Sequence, residues 1–328
     1  LGRAARARSA ARIVGVTGSV GKTGTKEALF AALDRMAPGT AHRSVKSYNN
    51  HTGVPLSLAR MPKATRYGVF EMGMNHPGEL AALTRMVRPH VALVTAIAPA
   101  HAAFFPNEEA IADAKGEIFE GLEAGGTAII PHDSPHRDRL IAAAKPHAAR
   151  ILTFGRSADA DVRAREEIAL EAGGTMVSVV LPGADLTFTL AQPGDHWVSN
   201  ALAVLAAVHA LGGDLTAAGV ALADMEGLPG RGARVTARFG NGTVRIIDES
   251  YNATPASMAA TIRQLGRERG GRRVVILGDM RELGDDTRRY HADLAAPLLE
   301  AGVDAALLVG ADMIALAERL EGKIDLRH

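Results

Sequence analysis

A glycine-rich turn near the start of the chain carries the residue types that bind phosphate. The apolar run Ile13–Val16 leads into Thr17–Thr23, which reads TGSVGKT, and a helical pattern follows over Thr25–Met36. A turn between a strand and a helix directs several backbone N–H groups at one point, where the helix N-terminus adds partial positive charge. The spacing predicts a nucleotide-phosphate site, although the standard P-loop pattern has glycine where this chain has Val16.

The side chains of this turn suit the phosphate end of a nucleotide. Lys22 is long enough to reach the terminal phosphates, and the Thr23 hydroxyl is a ligand that Mg²⁺ accepts. Glycine lets the backbone approach a phosphate that a Cβ would keep away. The residues predicted to bind the nucleotide here are Gly18, Ser19, Gly21, Lys22 and Thr23. A chance glycine-rich turn between a strand and a helix is the alternative.

Other polar residues follow predicted strands, at the sheet edge where open α/β folds bind ligands. Glu71 ends the strand Tyr67–Glu71 and could hold Mg²⁺ directly or through water. His101 follows the apolar run His90–Ile97. The alternatives are that Glu71 is an ordinary acid at a helix start and that His101 is a solvent-facing side chain. Lys115, in the next helical segment, has no distinguishing feature.

In the last third of the chain, two successive strand ends carry polar, glycine-containing loops. They are residues 248–255 (DESYNATP) and 278–284 (GDMRELG). Loops of this kind at neighbouring strand ends indicate a ligand-facing edge. The loop 49–56 (NNHTGVPL) has the composition of a substrate-binding loop, or of a connection only.

The elements that must position these residues alternate between strand and helix, which is typical of a parallel sheet with crossover helices. Residues 151–192 are instead rich in short β-type runs, which predicts a small antiparallel patch. After the Gly- and Pro-rich segment 227–232, the alternation resumes with Val244–Asp248, and one helix is predicted over Asp286–Ala301. We therefore predict an α/β fold with a P-loop-type central domain, followed by a Rossmann-like unit that starts near residue 233.

Composition excludes several classes of protein. A length of 328 residues suggests about two domains. A formal net charge of +1 argues against a dedicated nucleic-acid binder, and no apolar run approaches the ~18 residues that span a membrane. The chain has no cysteine, which fits a cytoplasmic location. The arginines near the start are predicted to line the solvated face of a helix: Arg3, Arg6, Arg8 and Arg12.

A series of motifs, in order along nearly the whole chain, resembles those of the Mur ligases, the ATP-dependent amide ligases of peptidoglycan precursor synthesis. The motifs are 17–23 (TGSVGKT), 50–56 (NHTGVPL), 71–73 (EMG), 114–118 (AKGEI), 230–231 (GR), 250–258 (SYNATPASM) and 278–284 (GDMRELG). The last two favour, within this family, a ligase that joins D-alanyl-D-alanine to UDP-N-acetylmuramoyl-tripeptide.

The resemblance implies a domain organisation and a reaction. Residues 1–232 would form the central ATPase domain, in which 1–12 lead from a UDP-binding domain that this sequence lacks. Residues 233–328 would form part of a C-terminal Rossmann-like domain. The implied reaction consumes ATP, uses two Mg²⁺ ions and passes through an acyl phosphate, and we expect a monomer.

The resemblance also implies roles for single residues. Lys115 matches a lysine that is carbamylated in the family and helps to hold a second Mg²⁺, while Glu71 and His101 match other metal-site positions. Asn200 matches an asparagine that meets the adenine, and Arg231 matches a linker arginine that reaches ATP phosphate. The segment that closes over the nucleotide contains Asp248, Tyr251 and Asn252. The predicted catalytic residues are Lys22, Lys115 and His101, and the predicted metal ligands are Thr23, Glu71, His101 and carbamylated Lys115.

The chain departs from the family pattern at several positions. Gly24 stands where threonine is usual, Trp197 and Ala96 where asparagine is usual, and Glu249 where aspartate is usual; Ala102–Ala103 replace Leu-Glu. The alternatives to this ligase are another ligase of the superfamily, of folylpolyglutamate or cyanophycin type, and a nucleotide-binding protein without ligase activity. A phosphate-binding structural protein is a further alternative.

Overall fold

The computed structural model describes residues 1–98, 104–171, 173–268 and 270–328. The chain separates into two compact units. Unit 1 comprises Leu1–Ile97 and Asn107–Met225, and unit 2 comprises Glu226–His328 with the described part of Ala98–Pro106. Within the described ranges, no helix combines the length and the apolar character needed to cross a bilayer.

Unit 1 is built on one nine-stranded sheet in the order β2-β3-β1-β4-β5-β6-β7-β8-β9. Its strands are β1 (Arg12–Thr17), β2 (Ala41–Arg43), β3 (Tyr67–Glu71), β4 (Val91–Val94), β5 (Thr127–Pro131), β6 (Arg150–Gly155), β7 (Val162–Ala169), β8 (Thr175–Leu181) and β9 (Ala184–Leu190). Neighbours from β2 to β7 pair in parallel, and β8 and β9 continue the sheet antiparallel. The predicted α/β class with an antiparallel patch is confirmed, although β6 belongs to the parallel part.

Within the described residues, unit 1 contains eight α-helices. They are α1 (Gly2–Ala7), α2 (Lys22–Met36), α3 (Gly53–Ala59), α4 (Glu79–Val87), α5 (Glu108–Gly116), α6 (Arg137–Ala144), α7 (Asp195–Ala210) and α8 (Leu215–Ala223). The Asn107 side chain accepts the Ala110 N–H and starts α5, and Asp214 accepts two N–H groups and starts α8. A 3₁₀ turn, Glu117–Gly121, extends α5.

The register of the central strands brings the predicted site together. Val16 lies opposite Glu71 in the pairing of β1 with β3, and Thr17 lies opposite Val94 in the pairing of β1 with β4. All residues of β4 are buried, as are the last four of β3, because both faces of a parallel sheet are covered by helices. The carboxyl ends of β3, β1 and β4 therefore meet at one edge, where α/β sheets bind ligands.

The arginines at the start of the chain do not all face solvent. Arg3, Arg8 and Arg12 are exposed as predicted, but Arg6 is only 5% exposed, so the prediction is wrong for this residue. Its guanidinium donates to the Val87 carbonyl at 2.7 Å and the Arg88 carbonyl at 2.8 Å. Because the last carbonyls of a helix lack intrahelical partners, Arg6 serves as a C-terminal cap for α4.

Unit 2 combines a hairpin with a three-stranded parallel sheet of order β12-β13-β14. Its elements are β10 (Ala233–Phe239), β11 (Gly242–Asp248), α9 (Pro255–Arg267), β12 (Val274–Gly278), α10 (Thr287–Ala292), α11 (Ala295–Glu300), β13 (Ala305–Val309), α12 (Ile314–Leu320) and β14 (Asp325–Arg327). Thr254 and Ser257 form a capping box at the start of α9. A buried apolar cluster that includes Met280, Leu298 and Leu316 forms the core of unit 2.

Two predictions for unit 2 are wrong, each for a local reason. β11 does not begin a parallel alternation, since it pairs antiparallel with β10 across a two-residue turn in which Gly240 has a φ of +57°. The predicted helix Asp286–Ala301 is divided into α10 and α11. Pro297 has no N–H to donate to the Asp293 carbonyl, and its ring conflicts with that carbonyl, so a continuous helix cannot form there.

Candidate active site

The phosphate-binding turn is held by the loop that follows β4. Thr95 Oγ1 donates to the carbonyls of Thr17 and Val20, at 3.2 and 2.5 Å, and the Ser19 N–H donates to the Ala96 carbonyl at 2.7 Å. Gly18 has a φ of +147°, and a Cβ there would overlap Thr95 Oγ1. Glycine is therefore required at Gly18 both by its backbone angle and by the space that Thr95 occupies.

Lys22 and Thr23 form the first turn of α2, so their side chains leave the helix at its positive end. The Lys22 ammonium donates to the carbonyls of Gly18 and Ser19 at 2.7 and 3.3 Å. Thr23 Oγ1 donates to Glu71 Oε2 at 2.9 Å. The P-loop threonine and the carboxylate that ends β3 are therefore in direct contact.

Glu71 is a buried carboxylate, 1% exposed, with several donors around it. Besides Thr23, the Asn49 side-chain amide donates to Glu71 Oε1 at 2.8 Å, and the Lys26 ammonium lies 3.9 Å from Oε2. Asn49 can come this close because residue 73 is glycine. A Cβ at Gly73 would lie only 2.8 Å from Asn49 Oδ1. Buried polar groups need such hydrogen-bond partners, and the carboxylate oxygens of Glu71 are hard donors of the kind that Mg²⁺ prefers.

Lys115 lies on α5 and is 1% exposed. Burial, with the positive charge of Lys22 as a second cause, holds the pKa of the Lys115 amine well below its usual range. A lysine with a lowered pKa offers a neutral, nucleophilic amine.

The start of α7 packs against the start of α2. Asn200 is buried, and a Cβ at Gly21 would lie 2.6 Å from Asn200 Oδ1. Gly21, with a φ of +82°, is the N-cap of α2, so Asn200 borders the phosphate-binding turn. Trp197 is 5% exposed, and its Cη2 would lie 3.1 Å from a Cβ at Gly24. The two departures from the family pattern, Gly24 and Trp197, are therefore in contact and complement each other in size.

The predicted residues of unit 2 form a cluster of their own. The Arg231 guanidinium lies 4.0 Å from the centre of the Tyr251 ring, a cation–π contact. Asp248 accepts from Ser250 Oγ at 2.6 Å, from the Ser250 N–H at 3.0 Å and from the Gly230 N–H at 3.0 Å, and these bonds lower its pKa. Asn252 is exposed. Burial raises the pKa of Glu249 to about 7.

One residue predicted to be a catalytic residue and a metal ligand, His101, falls outside the part of the chain that the structure describes. Ala102–Ala103 lie outside it as well. Among the residues that are described, no three His, Cys, Asp or Glu side chains form a metal-binding group. Thr23 and Glu71 nevertheless supply oxygen atoms 2.9 Å apart, of the kind that Mg²⁺ binds through one or two carboxylates and a nucleotide.

Sequence reasoning missed the residues that support these side chains. Thr95 is a polar residue directly after a fully buried strand, which was an available signal. The sequence places Asn49 in the loop 49–56 but does not distinguish it from its neighbours. The spacing of residues in the sequence does not indicate the roles of Ser47 and Lys26. Ser47 Oγ lies 3.1 Å from Thr23 Oγ1, and Lys26 is fully buried.

Two family patterns match this chain, the Mur ligase middle domain over residues 16–208 and the Mur ligase glutamate ligase domain over residues 230–327. The chain belongs to the Mur ligase family, as the motifs predicted. An *Escherichia coli* relative, UDP-N-acetylmuramoyl-tripeptide–D-alanyl-D-alanine ligase, is 34% identical over 300 residues, which are 92% of this chain and 65% of that protein. The chain thus spans about two thirds of that relative's length.

Solved structures agree with the sequence comparison. MurF from *Acinetobacter baumannii* superposes with a TM-score of 0.89 at 33% identity, covering 99% of this chain and 69% of that one. MurF from *Thermotoga maritima*, solved in complex with ADP, superposes with a TM-score of 0.85 at 27% identity, covering 100% of this chain and 73% of that one. The fold of both units is accordingly that of MurF ligases.

Proposed function

We propose that this chain is the nucleotide-handling part of an ADP-forming amide ligase that joins D-alanyl-D-alanine to UDP-N-acetylmuramoyl-tripeptide. The observation that carries the proposal is the hydrogen bond from Thr23, which follows Lys22 at the start of α2, to Glu71 at the carboxyl end of β3. The named activity of the *E. coli* relative supports the choice of substrates. The ADP complex of the *T. maritima* protein supports ATP as the nucleotide.

The proposed reaction has two steps. The terminal carboxylate of the tripeptide attacks the γ-phosphate of ATP, which gives an acyl phosphate and ADP. The amine of D-alanyl-D-alanine then attacks the acyl carbon and displaces phosphate. In the first step Lys22 turns from the carbonyls of Gly18 and Ser19 to the phosphate oxygens, where its charge stabilises the transferring group.

Thr23 and Glu71 are the residues we propose to hold Mg²⁺, with His101 as a further ligand. The ion would neutralise phosphate charge and fix the orientation of the nucleotide. A lysine ammonium cannot bind a hard cation, but the low pKa of Lys115 favours reaction with carbon dioxide. The neutral amine would add to the carbon of CO₂ and release a proton, leaving a carbamate whose oxygens suit a second Mg²⁺.

We also propose that Asn200 contacts the base, and that Arg231, Asp248, Tyr251 and Asn252 contact the nucleotide. Asn200 borders the turn at Gly21, which supports its role. A cation–π contact joins Arg231 to Tyr251. Arg231→Ala is expected to weaken ATP binding directly. Tyr251→Ala is expected to weaken it because Arg231 loses this contact.

Calorimetry with ATP and Mg²⁺ tests the nucleotide site. The chain is expected to bind, Lys22→Ala is expected to abolish binding, and Lys63→Ala, which alters an exposed lysine, is the matched control. Equal binding by wild type and Lys22→Ala would contradict the assignment. The carbamate is tested by ¹³C NMR after addition of ¹³C-bicarbonate: a carbamate resonance is expected in wild type and not in Lys115→Ala.

Turnover separates a ligase from a protein that only binds nucleotide. Release of phosphate from ATP that requires both the UDP-linked tripeptide and D-alanyl-D-alanine supports the ligase. ATP binding with no substrate-dependent turnover supports a nucleotide-binding role for this chain. A folylpolyglutamate-type ligase would instead respond to a folate and glutamate.

A further inference from the structure

Lys26 is a buried charge that the proposed mechanism does not use. It lies one helical turn after Lys22 on α2, its side chain is 0% exposed, and it is among the largest fully buried side chains of the protein. Burying an ammonium group is costly unless it is paired and hydrogen-bonded. The partners of Lys26 therefore indicate what this charge does.

The Lys26 ammonium joins three segments around the site. It donates to the Ser44 carbonyl at 3.1 Å and to the Lys46 carbonyl, it forms an ion pair with Glu27 at 2.8 Å, and it lies 3.9 Å from Glu71. These partners belong to the loop after β2, to α2 itself and to the end of β3. A single cation thus ties that loop to the helix that carries the phosphate-binding turn.

The loop is held in a conformation that needs such a tie. Lys46 has a φ of +50°, in the left-handed region that residues with a side chain rarely adopt. The Ser44 side chain adds a second anchor, because its Oγ accepts the Glu71 N–H at 3.2 Å. With Ser44 and Lys46 both fixed, the next residue, Ser47, has a defined position.

Ser47 Oγ lies 3.1 Å from Thr23 Oγ1. Thr23 gives its only hydroxyl proton to Glu71, so Ser47 is the donor in this pair. The oxygen of Thr23 then has one hydrogen bond donated, one accepted and one lone pair left. This arrangement fixes the direction in which Thr23 can offer that lone pair to a cation.

We propose that Lys26 is a positioning residue for magnesium–nucleotide binding, and that it acts through Ser47 on the hydroxyl of Thr23. The proposal rests on the proposed function, because it assumes that Thr23 holds Mg²⁺. Residues that orient metal ligands typically contribute about 10- to 100-fold to metal affinity. Lys26 should therefore affect ATP binding in the presence of Mg²⁺ and not the ion-independent contact of the P-loop with phosphate.

Calorimetry on the full chain tests this, with ATP titrated once with Mg²⁺ and once with EDTA. Lys26→Met keeps an unbranched side chain that is one heavy atom shorter and removes its charge. We expect it to weaken binding of ATP with Mg²⁺ by about 10- to 100-fold and to leave binding in EDTA unchanged. Lys63→Met, at an exposed lysine, is the matched control and should equal wild type under both conditions.

Ser47→Ala tests the path through the loop and does not depend on tolerance of a change at Lys26. Loss of one hydrogen bond should weaken binding with Mg²⁺ by about three- to tenfold. If Lys26 acts through Ser47, the double variant should bind no more weakly than Lys26→Met alone, because residues in one network are not additive.

Several results would overturn the proposal. One is equal weakening by Lys26→Met with Mg²⁺ and with EDTA, as a purely structural role would give. Another is a Ser47→Ala variant that keeps the wild-type ratio of the two affinities, which decides the matter even if Lys26→Met does not fold. If wild type itself binds no ATP with Mg²⁺, the proposed function fails as well; if it binds and only these ratios are unchanged, this inference alone fails.

Discussion

Replacing Gly24 with alanine tests how closely the two helices beside the phosphate-binding turn fit together. A Cβ at position 24 would lie 3.1 Å from Trp197 Cη2 and 3.5 Å from Asn200 Nδ2. Ordinary van der Waals contact of a Cβ begins at 3.4 Å, so the indole must move by a few tenths of an ångström. Trp197 is 5% exposed, and the packed side chains around it limit that movement.

Two opposing contributions set the expected change in the free energy of unfolding. Glycine inside a helix costs about 1 kcal/mol relative to alanine, so the substitution gains that amount in α2. Inserting one carbon into a packed core costs about 1–3 kcal/mol. With the middle of that range, Gly24→Ala should destabilise the protein by about 1 kcal/mol.

Trp197→Phe provides the decisive comparison, because phenylalanine lacks the outer ring edge that carries Cη2. In the Trp197→Phe background the new methyl group has room, and Gly24→Ala should now stabilise by about 0.5–1 kcal/mol. The assay is urea unfolding of the four proteins followed by far-UV circular dichroism, since tryptophan fluorescence is lost with the only tryptophan.

The change of sign is the critical result. If Gly24→Ala stabilises wild type as much as it stabilises the Trp197→Phe protein, the indole is not confined by α2. The coupling energy of the double-mutant cycle would then be zero, and the reasoning from the close approach at Gly24 would be refuted.

Two further predictions concern charges. Arg6→Met should destabilise the protein by about 2–4 kcal/mol in urea unfolding, because it leaves the Val87 and Arg88 carbonyls without their donor. The exposed Arg3→Met should change little, and equal effects of the two would contradict the capping role. Glu249→Gln should stabilise the protein at pH 8 but not at pH 4.5. Because the pKa of Glu249 is raised in the folded protein, its carboxyl group reduces the stability of the wild type as pH rises from 4.5 to about 7, and glutamine does not. We expect Glu249→Gln to raise the free energy of unfolding at pH 8 by about 1–2 kcal/mol. The full pKa shift corresponds to roughly 3 kcal/mol, but solvent screening of a partly exposed carboxyl reduces this effect. A gain in stability that does not vary with pH would contradict the raised pKa of Glu249.

Local signals explain what the sequence could predict. The turn 17–23 between an apolar run and a helix predicts both a phosphate site and a parallel sheet. Glu71 is predictable because a carboxylate at the end of a buried parallel strand must lie at the same edge of the sheet. The hairpin of β10 and β11 was missed although Gly240–Asn241 between β-type runs signals it, and the helix break at Pro297 was also readable.

Other features depend on contacts between distant parts of the chain, which spacing does not reveal. Arg6 is buried because the end of α4, more than eighty residues away, needs donors. Ser47 reaches Thr23 only because the loop after β2 folds back over α2. Lys115 was assigned through the family resemblance, since nothing in its own helical segment distinguishes it.

The two buried lysines of unit 1 show that burial alone does not define a role. Lys26 is surrounded by groups that favour its charge: two carbonyls and the Glu27 carboxylate, with Glu71 nearby. Lys115 has the positive charge of Lys22 as a neighbour, which adds to the effect of burial in lowering its pKa. The first environment holds the Lys26 side chain through hydrogen bonds and an ion pair, whereas the second lowers the pKa of the Lys115 amine. The neighbours of each lysine therefore suit Lys26 to holding a loop and Lys115 to reacting with an electrophile.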